Sequence, residues 1–282
     1  MGSTKAGGIL LTVLFAFFVF SSLPWSPSEC RAASGDNAIR IISPAADDVI
    51  TDFAALVKGE LNVPSGTEVR VTINGTVALV DRGKFATMIP MNFPSPTTNL
   101  TATMTDSLGT TLSSHSIPIT AKVPDSEPVL SFRAFPALRM APLSVRFSMT
   151  SLKEIELVEL DLDGNGRTDW YGATLNYQEF SLREPGLYYP TVKVIDVEGN
   201  VHTDRALVQV LNPKELDVLL QAKWKSMKGA LKLGDISEAV SYITISKRTG
   251  YQLVFEALTI PLANIDQILT DISFVQVQWH PG

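Results

Sequence analysis

Cysteine is almost absent from this chain of 282 residues, which contains one, Cys30. Cys30 precedes the processing site that we predict after Ala33, so the processed chain would contain no thiol. A chain without thiols forms no disulfides, no thiol nucleophile and no zinc site built on cysteine. Its stability must therefore come from its hydrophobic core.

Histidine and the usual catalytic motifs are also scarce. The three histidines are His115, His202 and His280, and the sequence contains no G-x-S-x-G, no glycine-rich phosphate loop and no H-E-x-x-H. Ser114 and Ser116 flank His115, but neighbours on a strand point to opposite faces and cannot form a Ser–His pair. The acidic pairs Asp47-Asp48 and Glu154/Glu156 are interpreted as solvated residues rather than a glycosidase dyad. We therefore predict no enzymatic activity.

Positive charge is too sparse for binding to anionic polymers. The chain has 23 Lys and Arg against 29 Asp and Glu, a formal net charge of −6. Phosphate backbones and anionic lipid headgroups are bound by clustered cations, so this balance predicts no nucleic-acid partner and no docking on acidic membranes.

The most apolar run is ILLTVLFAFFVF at residues 9–20, which is shorter than the roughly twenty residues of a membrane-spanning helix. Lys5 precedes it and small residues follow, a pattern typical of a secretory signal peptide over residues 1–33. An uncleaved anchor is the alternative. Either way we expect an exported protein, in the periplasm, at the cell surface or outside the cell.

Residues 38–122 show the pattern of short strands separated by turns. Val69, Val71 and Ile73 alternate with polar residues, and Asn74-Gly75 follows directly. This alternation predicts a half-buried strand, and Asn-Gly is a strong signal for a tight hairpin. About seven such strands predict a β-sandwich. The charged, proline-containing residues 123–128 form the predicted linker.

Residues 129–212 are again predicted to be all β. PLSVRFSMT would turn Leu143, Val145, Phe147 and Met149 inward, and GLYYPTVKVIDVEGN reads as one long strand that ends in a Glu-Gly-Asn turn.

From residue 213 onward the period changes to that of helices. An amphipathic stripe recurs at helical spacing and consists of Leu216, Leu219, Leu220, Trp224, Met227 and Leu231. Asp235 is the predicted cap of a second helix, ISEAVSYITI. Two further helices, TGYQLVFEALTI and ANIDQILTDI, and a final strand, FVQVQW, complete a small helical C-terminal domain. Because the chain stops three residues after that strand, we expect this domain to be truncated.

The stretch DLDGNGRTDW at residues 161–170 concentrates oxygen ligands. Asp161, Asp163, Asn165 and Asp169 occupy positions 1, 3, 5 and 9 of a loop of the kind that binds calcium. Position 12 is Gly172 rather than Glu, and the flanking segments are strands, so the loop is not an EF-hand. Two interpretations stay open: a calcium loop between strands, or a tight turn in which Asp and Asn bind backbone amides.

Trp170, Tyr171 and Tyr177 lie near this loop and could form an aromatic platform for a sugar. Packing of the same rings within the sandwich is the alternative.

Residues 129–212 resemble a PKD domain, an immunoglobulin-like sandwich of surface proteins and of accessory modules of secreted enzymes. The resemblance lies in APLSVRF at 141–147, in ELDLDGNGRTDW at 159–170 and in EPGLYYPTVKVIDVEGN at 184–200. Leu160 and Leu162 replace the Trp and Phe of the central motif. The resemblance implies that the acidic loop persists with or without metal.

Two further resemblances cover the rest. IISPAADDVI and VRVTINGTVALV are similar to bacterial immunoglobulin-like modules, and ALKLGDISEAVSYI is similar to the helical opening of NTF2-like domains.

The predicted fold is mainly β, with two tandem immunoglobulin-like β-sandwiches followed by a small helical domain. The predicted function is that of a non-enzymatic binding or spacer module whose partner is a protein or a polysaccharide at the cell surface. A carbohydrate-binding accessory module is one alternative. A C-terminal NTF2-like domain that binds a small ligand or acts as an enzyme is the other.

Overall fold

The computed structural model describes residues 38–64, 67–92, 96–106 and 109–257, together with Ile265 and Leu269. The predicted signal peptide, the strand predicted at 274–279 and nearly all of the helix predicted at 263–272 lie outside the described residues. Residues 24–213 belong to one compact unit, which contains both sandwiches, and the helices that follow belong to a second unit.

The first sandwich consists of two sheets packed on a common core. Its nine strands are β1 (Ala38–Ser43), β2 (Val49–Ile50), β3 (Ala54–Asn62), β4 (Arg70–Ile73), β5 (Thr76–Val77), β6 (Leu79–Asp81), β7 (Lys84–Pro90), β8 (Thr97–Thr105) and β9 (Thr111–Ala121). One sheet has the order β1-β3-β7-β6 and the other β2-β9-β8-β4-β5.

The predicted hairpin after VRVTI is confirmed. Val71 and Ile73 are fully buried in β4, as their alternation requires. Asn74 and Gly75 have φ angles of 48° and 85°, the left-handed conformation of a two-residue hairpin turn. The hairpin therefore forms because the buried face and the turn residues specify the same register.

The strand that returns from this turn is shorter than VALV suggests. Val77 pairs with Thr72 in the five-stranded sheet, whereas Val80 pairs with Phe85 in the other sheet. Ala78, which is buried between them, donates its amide to Val71 O at 2.9 Å. The chain thus passes from one sheet to the other at a small side chain.

The second sandwich follows the linker and is built from ten strands. They are β10 (Leu130–Phe135), β11 (Leu138–Met140), β12 (Leu143–Ser151), β13 (Ile155–Asp161), β14 (Trp170–Gly172), β15 (Phe180–Leu182), β16 (Gly186–Tyr188), β17 (Thr191–Asp196), β18 (Val201–Arg205) and β19 (Val208–Leu211). Their orders are β10-β12-β15, β11-β19-β16 and β14-β13-β17-β18.

The core of this sandwich agrees with the predicted alternation. Leu143, Val145 and Phe147 are buried, and Met149 packs against them at the margin. Leu160, which stands where the resemblance expects an aromatic ring, is fully buried, so this layer of the core is aliphatic.

The prediction of one long strand in GLYYPTVKVIDVEGN is wrong, although the predicted Glu-Gly-Asn turn at its end is confirmed by Gly199, whose φ angle is 84°. β16 pairs with β19, whereas β17 pairs with β13 in another sheet, and the chain crosses between them at Tyr189 and Pro190. Pro190 has no amide hydrogen and interrupts strand pairing, although its carbonyl still accepts the amide of Ala206 at 2.9 Å.

The C-terminal unit is helical where it is described. It contains α1 (Pro213–Lys232), α2 (Ile236–Ser241), a short 3-10 turn (Ile245–Lys247) and α3 (Arg248–Ala257). Four members of the predicted stripe, Leu216, Trp224, Met227 and Leu231, are buried, whereas Leu219 and Leu220 are only half-buried. Asp235 caps α2 by accepting the amide of Glu238 at 2.9 Å. In the described residues no helix combines the length and the apolar character needed to cross a membrane.

Helix α2 ends earlier than ISEAVSYITI predicts. The guanidinium of Arg248 donates to Ser241 O and to Ile243 O, both at 3.0 Å. In a longer helix these two carbonyls would accept backbone amides four residues further along the chain, and here they accept the guanidinium instead. The contact with α3 therefore contributes to ending α2 at Ser241.

Candidate functional site

The acidic loop lies between β13 and β14, which pair in antiparallel orientation. Its strand flanks agree with the conclusion that it is not an EF-hand, which needs helices on both sides. Gly164 and Gly166 have φ angles of 78° and 87°. These left-handed positions favour glycine, so the glycines allow the chain to reverse within the loop.

Asp161 is the centre of the loop. Its Oδ1 accepts the amides of Gly164 at 2.8 Å and Asn165 at 3.2 Å, and its Oδ2 accepts the amide of Gly166 at 2.7 Å. Asp169 Oδ2 closes the other side by accepting the amide of Leu162 at 2.7 Å. The carboxylates thus hold the backbone of the turn, as expected for Asp residues in tight turns.

Asp163 and Asn165 make a local contact with each other. Asp163 Oδ1 accepts the amide of Asn165 at 3.0 Å, and its Oδ2 accepts the Asn165 side-chain amide at 2.9 Å. Asn165 Oδ1 accepts the amide of Arg167 at 2.9 Å. The side-chain oxygen of Asn165 is therefore engaged with the loop backbone.

Three carboxylates converge sufficiently to serve as ligands of one ion. One oxygen from each of Asp161, Asp163 and Asp169 lies within 4.8 Å of the others. Carboxylate oxygens are among the donors that calcium prefers. The hydrogen bonds account for the turn in the absence of an ion, so calcium binding stays a prediction.

Calorimetric titration of calcium into the full chain checks this prediction. We expect saturable binding with Kd of about 0.1–1 mM, the range of extracellular modules. Asp163→Ala should abolish the binding while leaving the amide bonds of Asp161 in place. The control is Asp125→Ala, which removes an exposed carboxylate from the linker. A flat titration of the unmodified chain would leave the turn as the sole role of the loop.

The predicted aromatic platform is divided by the fold. Trp170 packs against the core, where its ring meets that of Phe180 edge to face at a centroid distance of 6.1 Å. Tyr171 is its neighbour on the same strand and is 74% exposed. Adjacent strand residues point to opposite faces, so Trp170 and Tyr171 do not share one surface.

Tyr177 stands apart from the strands. It is completely exposed and has a φ angle of 65°, in a turn closed by the Gln178 amide bonding to Leu175 O at 3.1 Å. An L-residue in this conformation carries a conformational cost. Tyr171 and Tyr177 are therefore the members of the predicted set that present their rings to solvent.

A neutral hydroxyl surface was not singled out by sequence reasoning. It lies on the outer face of the sheet that contains β4, β8 and β9. Thr72 pairs with Thr103, and Thr103 with Ser114. Thr101 and Ser116 also pair, and their hydroxyl oxygens lie 2.9 Å apart. The signal for this surface is the T-A-T-M-T repeat of β8, whose alternate residues face outward.

The placement of His115 confirms the argument against a Ser–His pair. Its neighbours Ser114 and Ser116 are exposed on the outer face, whereas His115 turns away and its Nδ1 accepts the amide of Ile41 at 3.2 Å. His115 therefore links β9 to β1. His280 lies outside the described residues.

A His–carboxylate pair that sequence reasoning missed lies in the hairpin between β17 and β18. Asp196 is 1% exposed, and its Oδ2 lies 3.0 Å from His202 Nε2. Asp196 Oδ1 also accepts the amides of Glu198 at 3.0 Å and Asn200 at 2.8 Å, and Asn200 Nδ2 donates to Oδ2 at 3.1 Å. The carboxylate is thereby committed to holding the hairpin.

These hydrogen bonds favour the charged form of the carboxylate. The bond from His202 has the largest effect, and with those from Asn200 and Glu198 it holds the pKa of Asp196 well below its ordinary value. The signal was present in the sequence as D-V-E-G-N, since an Asp before a glycine turn commonly accepts the turn amides. The contribution of His202 requires the pairing of β17 with β18.

No known family profile matches the chain, and no curated protein sequence matches it. Solved structures of tandem β-sandwich modules do match. The fibronectin(III)-like modules of CbhA from Clostridium thermocellum are 16% identical with a TM-score of 0.24, over 62% of this chain and 95% of theirs.

Two longer proteins match in the same way. A mixed-linkage glucan utilization protein of Bacteroides ovatus, SGBP-B, solved with a heptasaccharide, is 16% identical with a TM-score of 0.21, over 64% of this chain and 48% of that one. A putative membrane-anchored protein from Corynebacterium diphtheriae is 13% identical with a TM-score of 0.23, over 64% and 60%. Since every TM-score is below 0.5, a functional proposal for this chain has to rest on its own residues.

Proposed function

We propose that this chain is an exported, non-enzymatic module that binds a partner or acts as a spacer at the cell surface or in the periplasm. The observation that carries the proposal is the use of the reactive side chains. Asp196 and His202 hold a hairpin, Asp161 and Asp169 hold a turn, and His115 joins two strands. Groups that serve as acids or bases in enzymes are here engaged in contacts that hold turns and strands together.

The finer part of the proposal assigns residues 129–212 to the PKD type of sandwich. The glycines and carboxylates of the central motif form the turn between β13 and β14, and D-V-E-G-N forms the turn between β17 and β18. Both motifs thus have a structural reason for the residues they contain. The aliphatic Leu160 in the core is the departure that this assignment must accommodate.

Export is tested by expressing the full chain in a bacterial host and separating the periplasmic and surface fractions from the cytoplasm. We expect the chain outside the cytoplasm with Ser34 as its first residue, because the signal peptide is predicted to be cut after Ala33. Intact mass spectrometry measures the cleavage site. Retention in the cytoplasm would contradict export, and a membrane-bound chain that keeps residues 1–33 would support the uncleaved anchor.

The carbohydrate-binding alternative is favoured by one observation, the exposure of Tyr171 and Tyr177 in the same sandwich. Exposed aromatic rings offer flat apolar faces on which sugar rings can stack. The exported chain is therefore offered to a panel of insoluble polysaccharides. The alternative expects retention of the chain that falls about two- to tenfold in Tyr177→Ala or Tyr171→Ala, since a stacked aromatic ring contributes about 0.5–1.5 kcal/mol.

The matched control is Phe135→Ala, which removes another exposed aromatic ring of this sandwich, 75% exposed in β10. Equal loss of binding in all three variants would indicate nonspecific adsorption. Failure of the unmodified chain to bind any polysaccharide would remove the alternative and leave binding to a protein or spacing.

A further inference from the structure

Strand β19 is buried on both of its faces. Val208 and Val210 are fully buried in the core of the second sandwich. Gln209 lies between them and points the other way, because side chains alternate along a strand. Gln209 is nevertheless only 1% exposed. A polar side chain on the outer face of a sandwich is usually solvated. The burial of Gln209 therefore means that a second surface covers it.

The first sandwich provides that surface. Gln209 Nε2 donates to Val80 O at 2.9 Å, and Val80 belongs to the core of the first sandwich. A carbonyl can only accept, so the amide nitrogen must face Val80. Within the described part of the chain Gln209 Oε1 accepts no hydrogen bond. The bond to Val80 is thus the one that compensates for burial of this amide.

A second contact across the same boundary involves Tyr189, where the chain crosses between β16 and β17. Lys58 of the first sandwich places its Nζ 5.1 Å from the centroid of the Tyr189 ring, a cation–π distance. Burial is the main cause that raises the pKa of Tyr189, and the nearby carboxylate of Asp81 adds to it. The Tyr189 side chain is therefore near two charged groups of the first sandwich, the ammonium of Lys58 in β3 and the carboxylate of Asp81 in β6.

The acidic loop supports Tyr189 from its own side. A Cβ placed on Gly164 would lie 2.8 Å from Tyr189 O and 2.9 Å from Tyr189 Cβ. Only glycine allows the loop to approach this closely. The position of Tyr189 is therefore set both by the loop of its own sandwich and by Lys58 of the other.

We propose that Gln209, Val80, Tyr189 and Lys58 form a fixed joint that holds the two sandwiches in one mutual orientation, with Gln209 as its positioning residue. A linker such as 123–128 by itself would leave two domains free to reorient. A buried hydrogen bond resists that freedom, because breaking it leaves a buried donor and acceptor without partners. The inference concerns the joint alone and holds whether or not the binding function proposed above is correct.

Hydrogen exchange of the full chain, measured by mass spectrometry, tests the joint. A residue of the second sandwich is substituted, and amide exchange is measured in the first sandwich. Gln209→Met keeps the length of the side chain but removes the donor. We expect amide exchange in β6 of the first sandwich to become at least tenfold faster, while exchange in β8, which belongs to the other sheet of that sandwich, changes little. Unchanged exchange in β6 would overturn the proposal.

The matched control is Gln178→Met, which changes an exposed glutamine of the same sandwich. It should leave β6 as in the unmodified chain, and an equal acceleration in the control would overturn the assignment to Gln209. Lys58→Met tests the joint in the reverse direction and decides the case if Gln209→Met does not fold. Because Lys58 is partly exposed, this variant should fold, and amide exchange at residues 186–189 should accelerate severalfold. No change there would overturn the joint.

Discussion

Replacing Gly59 by alanine is expected to destabilise the first sandwich by about 3 kcal/mol. Gly59 lies in β3, where it pairs with Ile41 on one side and Phe85 on the other. A Cβ at this position would overlap the ring of Phe85, which is fully buried, and the backbone carbonyl of Arg40. Neither neighbour can move without disrupting the core or the pairing of β1 with β3. Urea denaturation of the full chain measures the loss as a lower midpoint.

Two comparisons separate this steric explanation from a general effect of losing a strand glycine. Gly186→Ala is the matched control, because the nearest atom to a Cβ there belongs to the Tyr188 ring at 3.8 Å, an ordinary contact. We expect it to be close to neutral. Adding Phe85→Leu to Gly59→Ala should not restore stability, since Arg40 O still blocks the site. A neutral Gly59→Ala would show that β1 and β3 shift easily, contrary to this account.

Asp196→Asn is expected to lower the melting temperature at pH 7 by several degrees. The variant keeps the shape of the side chain but removes the charge that accepts bonds from His202, Asn200 and Glu198. An amide also places two hydrogens where the carboxylate presented only acceptors, so at least one donor loses its partner. Thermal unfolding followed by circular dichroism provides the comparison.

The effect of Asp196 should depend on pH in a defined direction. The hydrogen bonds lower the pKa of Asp196 in the folded chain below its ordinary value of 3.8. Its contribution to stability is therefore complete above about pH 5 and declines as the pH falls through 3.8 toward the lowered pKa. The difference between the unmodified chain and Asp196→Asn should accordingly shrink between pH 5 and pH 2.5.

Asp125→Asn is the control for this titration, because Asp125 is exposed in the linker. It should show no stability difference from the unmodified chain at either pH. A difference between Asp196→Asn and the unmodified chain that stays constant down to pH 2.5 would show that the charge of Asp196 is not what stabilises the hairpin.

Local chemistry in the sequence was sufficient to predict several parts of the fold. Asn74-Gly75 determines its own turn because both residues accept positive φ, and alternation determines which residues of β4 and β12 are buried. Asp235 caps α2 because its side chain needs only an amide three residues later. The acidic loop was predictable for the same reason, since Asp161 bonds to amides within five residues of itself. In each case donor and acceptor are neighbours in the chain.

The parts that depend on distant contacts were decided by the tertiary structure. Periodicity could not show that the strand through Pro190 changes sheets, because the residues on either side of Pro190 both alternate correctly. Trp170 packs against the core and Tyr171 is exposed because only one face of β14 contacts the core. Gln209 would be solvated on an isolated sheet, and it is buried because Val80, 129 residues earlier in the chain, lies against it. Sequence patterns record a residue's own preferences, whereas these outcomes depend on which surface packs opposite.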